Sequence, residues 1–508
     1  MEKIKFTDYK DSVLGCWWGK YAGGVMGMPF ECHRGVRDIK WYTQKDLTGI
    51  YNDDVDLQLV FLRACEKYGN KVDSNVLAEF WLNYISMSCS EYGAAKANLR
   101  AGIAPPMSGS YANDNRNSCG AFIRSELWAC LCAGNPDIAV RYALEDSMVD
   151  HGGEGVYGEI FFAAMQAEAF VEKDIFKLIK KGLSYIPDDC GIAKGIRCSV
   201  ECYKSGKTWK EARRAILQTV PGSFGMMCGY LGDDEKESDI PAGQHGYDAP
   251  SNVAIAVMSL LYGEYDFLKS MCIASGCMED ADCTAGSAAA TLGIISGYSK
   301  LPKDVLAPLE DKITVGSLRD DGDLYKPATI AELTERVLRL TPVFLGGAIV
   351  DTLIAGEGYE IESHVSGNDL LRVYAIDQYK APDFTALLER IPYTARYRNV
   401  LFDIFVEYDK FPALCVGEKL KVKFKFWNGF YDRQWLECKW HLTDGIEVDG
   451  GAFSSICLEQ KHGEYNIAEK EFTLSLSSAR SSRIELCLEI ISTGRYYRTF
   501  VPITINVR

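Results

Sequence analysis

Two pairs of aspartates carry the clearest chemical signal in this chain. Asp280 and Asp282 stand two residues apart, just before a run of small residues at 284–290. Asp53 and Asp54 are adjacent and open an apolar pattern of helical spacing far earlier in the chain. Carboxylate oxygens are the ligands that a hard cation such as Mg²⁺ prefers. We therefore expect the two pairs to meet in space around a metal ion.

The earlier pair also has a purely structural interpretation. Asn52 precedes it; asparagine is a favoured N-cap residue, and acids in a first helical turn interact favourably with the helix dipole. Taken alone, Asn52 and its two neighbours are better explained by capping than by metal binding. Glu31 is also open to two interpretations. After a proline-containing turn, it is either a surface acid or a carboxylate lowered into a site.

The elements that must position these acids can be predicted from residue spacing. Gly15, Gly19 and Gly23 recur every four residues in a predicted helix over 11–21, which leaves one face bare for the close approach of another backbone. The small residues after Asp282 favour a helix that is pressed closely against its neighbours. Further helical patterns lie at 74–87, 122–133, 136–148, 155–171, 174–183, 191–205, 208–217, 252–262, 265–275 and 330–340.

A polar loop and a histidine are candidates for substrate contacts. The loop over 108–120 contains glycines and leads into a helical pattern, so its backbone N–H groups could bind a phosphate, although an ordinary connection fits equally well. His151 lies beside glycines at the end of the predicted helix 136–148. A histidine at that place either caps the helix dipole or contacts a ligand.

After residue 345 the pattern changes from helical to alternating. The segments 401–408, 420–428, 483–491 and 499–507 alternate apolar and polar residues, which is typical of an antiparallel β-sandwich. We therefore expect an all-α domain over 1–345, a connector over 346–394 and an immunoglobulin- or fibronectin-like sandwich over 395–508. Four aromatic residues of the sandwich either fill its core or stack on sugars: Trp427, Tyr431, Trp435 and Trp440.

Composition limits the class of partner. The 508 residues carry a formal net charge of −15 and a pI near 5.1, which disfavours nucleic acid and anionic membranes as partners. An anionic small substrate stays possible, because a bound metal reverses the field locally. No apolar run reaches membrane-spanning length, the N-terminus lacks a signal-peptide core, and the 18 cysteines show no zinc pattern. We expect a cytoplasmic protein with reduced thiols.

Five short segments together resemble the motifs of the ADP-ribosylglycohydrolase family, in the same order and over the first two-thirds of the chain. Residues 23–31 are similar to its signature Gly-Asp-Ala-x-Gly-x-Pro-x-Glu, and residues 52–55 are similar to Thr-Asp-Asp-Thr. Residues 118–124 resemble Gly-Asn-Gly-x-x-Met-Arg, residues 150–151 resemble Thr-His, and residues 280–283 resemble Asp-Thr-Asp-Thr/Ser.

The resemblance implies an all-α orthogonal bundle with a dinuclear Mg²⁺ or Mn²⁺ centre that hydrolyses an ADP-ribosyl or related glycosidic bond. By position, Glu31 and Asp54 would be the catalytic carboxylates. The implied substrate-lining residues are Ser118, Cys119, Gly120 and His151. The implied metal ligands are Asn52, Asp53, Asp54, Asp280, Asp282 and Cys283. The substrate would be a small molecule or an ADP-ribosylated protein.

Several positions depart from the family's motifs. Val55 offers no side-chain oxygen, and Cys283 is a soft ligand for a hard ion. Gly24 and Cys119 stand where the motifs have an aspartate and an asparagine. The sequence therefore leaves open whether the centre holds one ion or two. It also leaves two other functions open: a non-catalytic member that binds a nucleotide-sugar, and a carbohydrate-active hydrolase whose sandwich binds glycan.

Overall fold

The chain forms two compact units. The computed structural model describes residues 2–223, 237, 239–241, 243, 247–319, 324–350, 358–365, 394–399, 401–428, 432–459, 466–495 and 497–508. The first unit comprises Met1–Lys96 and Ala112–Glu389, and the second comprises Ala97–Tyr111 and Arg390–Arg508. The connector predicted over 346–394 falls largely outside the described residues.

The first unit is mainly helical. The helices along the chain are α1 (Phe6–Gly27), α2 (Asp53–Tyr68), α3 (Ser74–Tyr84), α4 (Ser90–Arg100), α5 (Met107–Ser110), α6 (Ser125–Leu131), α7 (Pro136–Ser147), α8 (Glu154–Glu168), α9 (Ile175–Leu183), α10 (Gly191–Lys204), α11 (Trp209–Thr219), α12 (Ala249–Gly263), α13 (Phe267–Gly276), α14 (Ala281–Ser296), α15 (Lys303–Leu306) and α16 (Ile330–Leu345). Of these, α5 and the end of α4 belong to the second unit. Strand β1 (Lys3–Ile4) pairs antiparallel with β2 (Ile361–Glu362) in the first unit.

The predicted helices are present, most with ends close to those expected. The first helix extends beyond its predicted span of 11–21 at both ends: it begins at Phe6, and the glycines after Tyr21 continue it rather than end it. The pattern at 122–133 begins with a 3₁₀ turn, Phe122–Arg124, before α6. Helix α4 has no counterpart in the prediction, since its residues are mostly small or polar and form no bulky apolar stripe.

Close packing of α1 against α14 is the contact that positions the acids. Four residues of α1 face four residues of α14 in antiparallel order: Gly15, Gly19, Gly23 and Gly27 face Gly293, Ala289, Ala285 and Ala281. A Cβ atom on Gly19 would lie 2.2 Å from the carbonyl oxygen of Ala289, so a larger residue would force the helices apart. The predicted bare face is confirmed. It places the start of α14 beside the end of α1.

The second unit is rich in strands, as the sequence predicts. They are β3 (Thr394–Arg398), β4 (Asp403–Tyr408), β5 (Ala413–Leu414), β6 (Lys419–Asn428), β7 (Gln434–His441), β8 (Ile446–Asp449), β9 (Phe453–Leu458), β10 (Asn466–Leu476), β11 (Arg483–Ser492) and β12 (Tyr497–Val507). In the described residues they form two sheets, with strand orders β3-β4-β6-β10-β8 and β5-β12-β11-β7-β9. All pairs are antiparallel except β5 with β12.

The aromatic residues of this unit mostly serve its core. Trp440 on β7 is buried and packs edge-on against Phe424 and Phe472, so of its two interpretations the core role is confirmed. The physical reason is strand alternation, which turns Trp440 inward. Trp427 is partly buried, Trp435 is 55% exposed, and Tyr431 lies outside the described residues.

Among the residues that the structure describes, no helix is both long enough and apolar enough to cross a bilayer.

Candidate metal centre

The turn that leads into α14 is strained and firmly held. Met278 and Glu279 have φ angles of 62° and 61°, which side chains other than glycine rarely adopt. The Glu279 carboxylate forms a buried ion pair of 2.9 Å with Nε of Arg34 and lies 3.6 Å from Nη2 of Arg213. The Glu279 N–H also donates to the carbonyl of His33 at 2.9 Å. These contacts fix the orientation of Asp280, which comes next.

Helix α2 begins with a side-chain cap. Asn52 Oδ1 accepts a hydrogen bond of 2.8 Å from the N–H of Asp54, so the capping interpretation of Asn52 is confirmed. Asp56 anchors the same turn by accepting hydrogen bonds of 2.8 Å from the N–H groups of Gly316 and Ser317. The cap leaves the Asp54 side chain, which is fully buried, turned toward α14.

Two groups of possible ligand atoms form where α2 and α14 begin. One group contains Glu31, Asp280 and Asp282; the other contains Asp54, Asp282 and Cys283. Within each group the atoms lie within 4.8 Å of one another. Asp282 belongs to both, so Asp54 of the earlier acidic pair does lie beside the later pair. Asp53 belongs to neither group within the described part of the chain.

Burial makes these acids hard to ionise. It raises the pKa of Glu31 to about 8, with Asp280 and Asp53 adding repulsion. It raises the pKa of Asp53 to about 7 and holds that of Asp282 well above its usual range. Burial and the Asp282 charge do the same for Asp280. A bound cation would offset this repulsion.

Two carboxylate oxygens in this cluster are buried without a partner. Oδ1 of Asp280 and Oδ1 of Asp282 receive no hydrogen bond from any residue that the structure describes. Buried polar atoms without partners are costly and need a specific explanation. Oxygen donors of this kind are what Mg²⁺ and Mn²⁺ bind, so Glu31, Asp280 and Asp282 fit a hard divalent ion.

Two thiols adjoin the aspartates. Cys119 Sγ lies 2.7 Å from Asp280 Oδ2 and 2.7 Å from the carbonyl of Tyr247, and can donate its hydrogen to either. Cys283 Sγ donates to Asp54 Oδ1 over 3.4 Å. Burial, followed by the neighbouring Asp280 charge, raises the pKa of both thiols well above the usual range. Both thiols therefore act as neutral hydrogen-bond donors.

A buried group of a serine, a histidine and an aspartate begins at Ser118, which directly precedes Cys119 in sequence. Ser118 Oγ is 3.0 Å from His151 Nε2, and His151 Nδ1 is 2.9 Å from Asp150 Oδ1. Arg124 contacts both oxygens of Asp150, at 2.5 and 3.2 Å. A Cβ atom on Gly120 would lie 3.2 Å from the His151 ring, so the segment 118–120 packs closely on this histidine. The predicted residues Ser118, Gly120 and His151 thus lie together, while Cys119 faces Asp280.

A model of the ADP-ribosylglycohydrolase family matches residues 6–342. This chain belongs to the ADP-ribosylglycohydrolase family. Membership supports a hydrolase of ADP-ribose-related bonds. Among solved structures, an ADP-ribosylglycohydrolase-related protein complex is 15% identical, with a TM-score of 0.43, over 67% of this chain and 98% of that chain. No curated protein matches this chain.

Two departures from the family's motifs lie next to each other in the structure. A Cβ atom on Gly24 would lie 1.7 Å from Nδ2 of Asn52, so the side chain at 52 fills the space that a larger residue at 24 would need. Two further departures, Cys119 and Cys283, both contact aspartates of the centre. The departures are therefore concentrated around the acids rather than scattered over the fold.

Sequence reasoning missed residues that contact the acids from other helices. Lys20 is buried 3.0 Å from Asp54 Oδ2 and 3.4 Å from Glu126 Oε1. Burial lowers the pKa of Lys20, but Asp54 and Glu126 together raise it by more, so it stays a cation. Asn252 Oδ1 accepts a hydrogen bond from the N–H of Asp280. A signal existed for Lys20, which is the only charged residue between Asp11 and Glu31. Glu126 and Asn252 gave no signal in the sequence.

Proposed function

We propose that this chain is a metal-dependent glycosidase that hydrolyses an ADP-ribosyl or related N- or O-glycosidic bond. The supporting observation is the buried trio of Glu31, Asp280 and Asp282, in which two carboxylate oxygens lack partners among the described residues. Family membership supports the class of bond. Oxygen ligands favour Mg²⁺ or Mn²⁺ over softer metals.

In this proposal the three acids share one role, and Glu31 has a second. Glu31, Asp280 and Asp282 hold the ion, which when bound would lower the pKa of a coordinated water toward neutrality. Glu31 is the least buried of the three and is the carboxyl that we assign to proton transfer with the attacking water. Hydrolysis of a glycosidic bond requires such a carboxyl close to the anomeric carbon.

The substrate side of the site is assigned to the segment 118–120 and His151. The Ser118 hydroxyl hydrogen-bonds to the His151 ring, and His151 Nδ1 lies 2.9 Å from Asp150 Oδ1, so both side chains are oriented before substrate arrives. Groups positioned in this way reduce the entropic cost of binding. The leaving group would be a small molecule or a protein side chain.

The proposal places this protein in a reducing compartment, the cytoplasm. The described cysteines are free thiols, which is the usual state of cysteines in the cytoplasm.

The proposal is tested by removing one charge from the trio. Asp280→Asn and Asp282→Asn keep side-chain size, and each should abolish calorimetric Mn²⁺ binding and the Mg²⁺-dependent release of ADP-ribose from ADP-ribosylated substrates. Asp304→Asn, at an exposed aspartate of α15, is the matched control and should change neither. Native protein that is folded but binds neither ion would contradict the proposed function. Persistent binding by both trio variants would contradict the ligand assignment.

A further inference from the structure

Lys20 is a buried cation inside the acidic cluster. Its side chain is fully buried, with Nζ 3.0 Å from Asp54 Oδ2 and 3.4 Å from Glu126 Oε1. Nζ also donates a hydrogen bond of 3.2 Å to Ser287 Oγ. One residue each from α1, α2, α6 and α14 takes part. The ammonium group is therefore fixed by contacts with three other helices.

Packing leaves room for the Lys20 side chain to reach this place. Gly286 of α14 lies alongside it: a Cβ atom there would be 3.3 Å from Lys20 Cδ and 3.4 Å from Asp54 Oδ2. A side chain at position 286 would press on both members of the ion pair. The small residues of α14 therefore have two effects. They allow the glycine face of α1 to pack closely, and they leave space for the Lys20 side chain.

The two groups of ligand atoms differ in what already neutralises them. Asp54 Oδ2 faces the Lys20 ammonium, and Asp54 Oδ1 faces the Cys283 thiol. Asp54 Oδ2 accepts no hydrogen bond, and neither does Oδ1 of Asp280 or of Asp282, but only the Asp54 oxygen has a cation beside it among the described residues. A divalent ion beside Asp54 would lie close to an ammonium ion, and like charges repel strongly where water is excluded. The trio of Glu31, Asp280 and Asp282 has no such cation beside it in the described residues.

We infer that the Lys20 ammonium takes the place of one divalent cation, so that the centre binds a single metal ion at Glu31, Asp280 and Asp282. This inference rests on the proposed function, since it concerns the same centre. Lys20 supplies a permanent positive charge to Asp54 and Glu126, and the exchangeable ion serves the trio. Asp54 then acts as the partner of Lys20 rather than as a metal ligand.

The first test is the metal content of the native protein. Equilibrium dialysis against Mn²⁺, followed by elemental analysis, should give one ion per chain. The electron paramagnetic resonance spectrum should be that of an isolated Mn²⁺ ion. Two ions per chain with a spin-coupled spectrum would overturn the inference and leave the proposed function standing. A folded protein that binds no Mn²⁺ would contradict the proposed function itself.

The second test removes the built-in charge. Lys20→Met keeps a long side chain without the ammonium group, and metal content should rise from one Mn²⁺ to two per chain. Lys10→Met, at an exposed lysine on the same helix, is the control and should keep one ion. A folded Lys20→Met protein that still binds a single ion, with unchanged affinity, would overturn the inference.

A third variant keeps the inference testable if Lys20→Met does not fold. Asp54→Asn should still bind one Mn²⁺, because Asp54 is assigned to Lys20 and not to the ion. Asp282→Asn should bind none, because Asp282 belongs to the trio. Loss of Mn²⁺ from folded Asp54→Asn would overturn the inference. These readouts measure metal content and do not depend on activity.

Discussion

Asp248 is a carboxyl whose charge the folded protein tolerates poorly. It directly precedes α12 and is only 6% exposed, and its Oδ2 has no hydrogen-bond partner among the described residues. Burial raises the pKa of Asp248 to about 7; Ser223 lowers it and Glu279 raises it, each by less. The carboxyl therefore carries a proton in the folded protein at a pH where an unfolded chain would have released it.

This gives a pH dependence with a defined sign. Because the folded pKa of Asp248 exceeds the unfolded value of about 3.9, the folded state binds more protons between the two, and stability should fall as pH rises from about 4 to about 7. Asp248→Asn should remove this component and make the metal-free protein more stable above pH 7, by up to about 4 kcal/mol. Urea unfolding at several pH values measures it. Curves that stay parallel for native protein and variant would contradict the assignment.

At the residue scale, the sequence predicts acids better than it predicts their partners. Asp280 and Asp282 stand in one short motif, so their proximity to each other follows from spacing alone. Lys20 comes from a different helix and reaches Asp54 only because two helices pack at glycine distance. The isolation of Lys20 among uncharged residues marks it as unusual, but no local pattern identifies Asp54 as its partner. The ion pair that changes the expected charge of the centre was therefore not predictable.

At the scale of elements, the close contact between α1 and α14 predicts the effect of a larger residue at position 19. Gly19→Ala would place a Cβ atom 2.2 Å from the carbonyl oxygen of Ala289, a backbone atom that cannot move alone. The helices must separate, at a cost of about 3 kcal/mol in unfolding free energy, and the Mn²⁺ affinity should fall because the acids lie at the ends of these helices. Thermal unfolding and calorimetry with Mn²⁺ measure the two effects.

A glycine elsewhere in the same unit is the matched control. Gly158 lies inside α8, and a Cβ atom there would meet its nearest neighbours at 3.4–3.5 Å, which is ordinary contact. Gly158→Ala should be neutral or stabilise by up to about 1 kcal/mol, since alanine favours a helix over glycine. Equal decreases in unfolding free energy in Gly19→Ala and Gly158→Ala would show that the α1–α14 contact has no special role.

At the scale of elements, the four-residue spacing of the glycines in α1 predicted the packing of this helix correctly. Glycines four residues apart leave a helix face without side chains. Such a face does not stabilise a helix that is exposed to solvent, so the pattern predicts that another helix packs closely against it. The turn before α14 could not be predicted in the same way. Its positive φ angles at Met278 and Glu279 depend on the buried ion pair with Arg34, which is remote in sequence.

The second unit is assembled from two distant stretches of the chain. Ala97–Tyr111 clusters with Arg390–Arg508, whereas the domain boundaries predicted from the sequence include these early residues in the all-α domain. Ile103 and Met107 are buried there, and the rings of Tyr111 and Phe411 have centroids 3.9 Å apart. Alternation of residues reveals strands, but no local pattern reveals that a short early segment completes their unit.

The contact between Tyr111 and Phe411 carries the prediction at the scale of the whole molecule. Phe411→Ala removes a partly buried ring and should destabilise the second unit by about 2 kcal/mol. Backbone amides of Ala97–Tyr111 and of β12 should then exchange hydrogen faster together, because both belong to the same cooperative unit. Mass spectrometry resolves the exchange by segment. Phe453→Ala, at a ring that is 70% exposed on β9, should leave the exchange rates of Ala97–Tyr111 and of β12 unchanged. Faster exchange of β12 without any change at Ala97–Tyr111 would show that the early segment is not stabilised by the strand-rich unit.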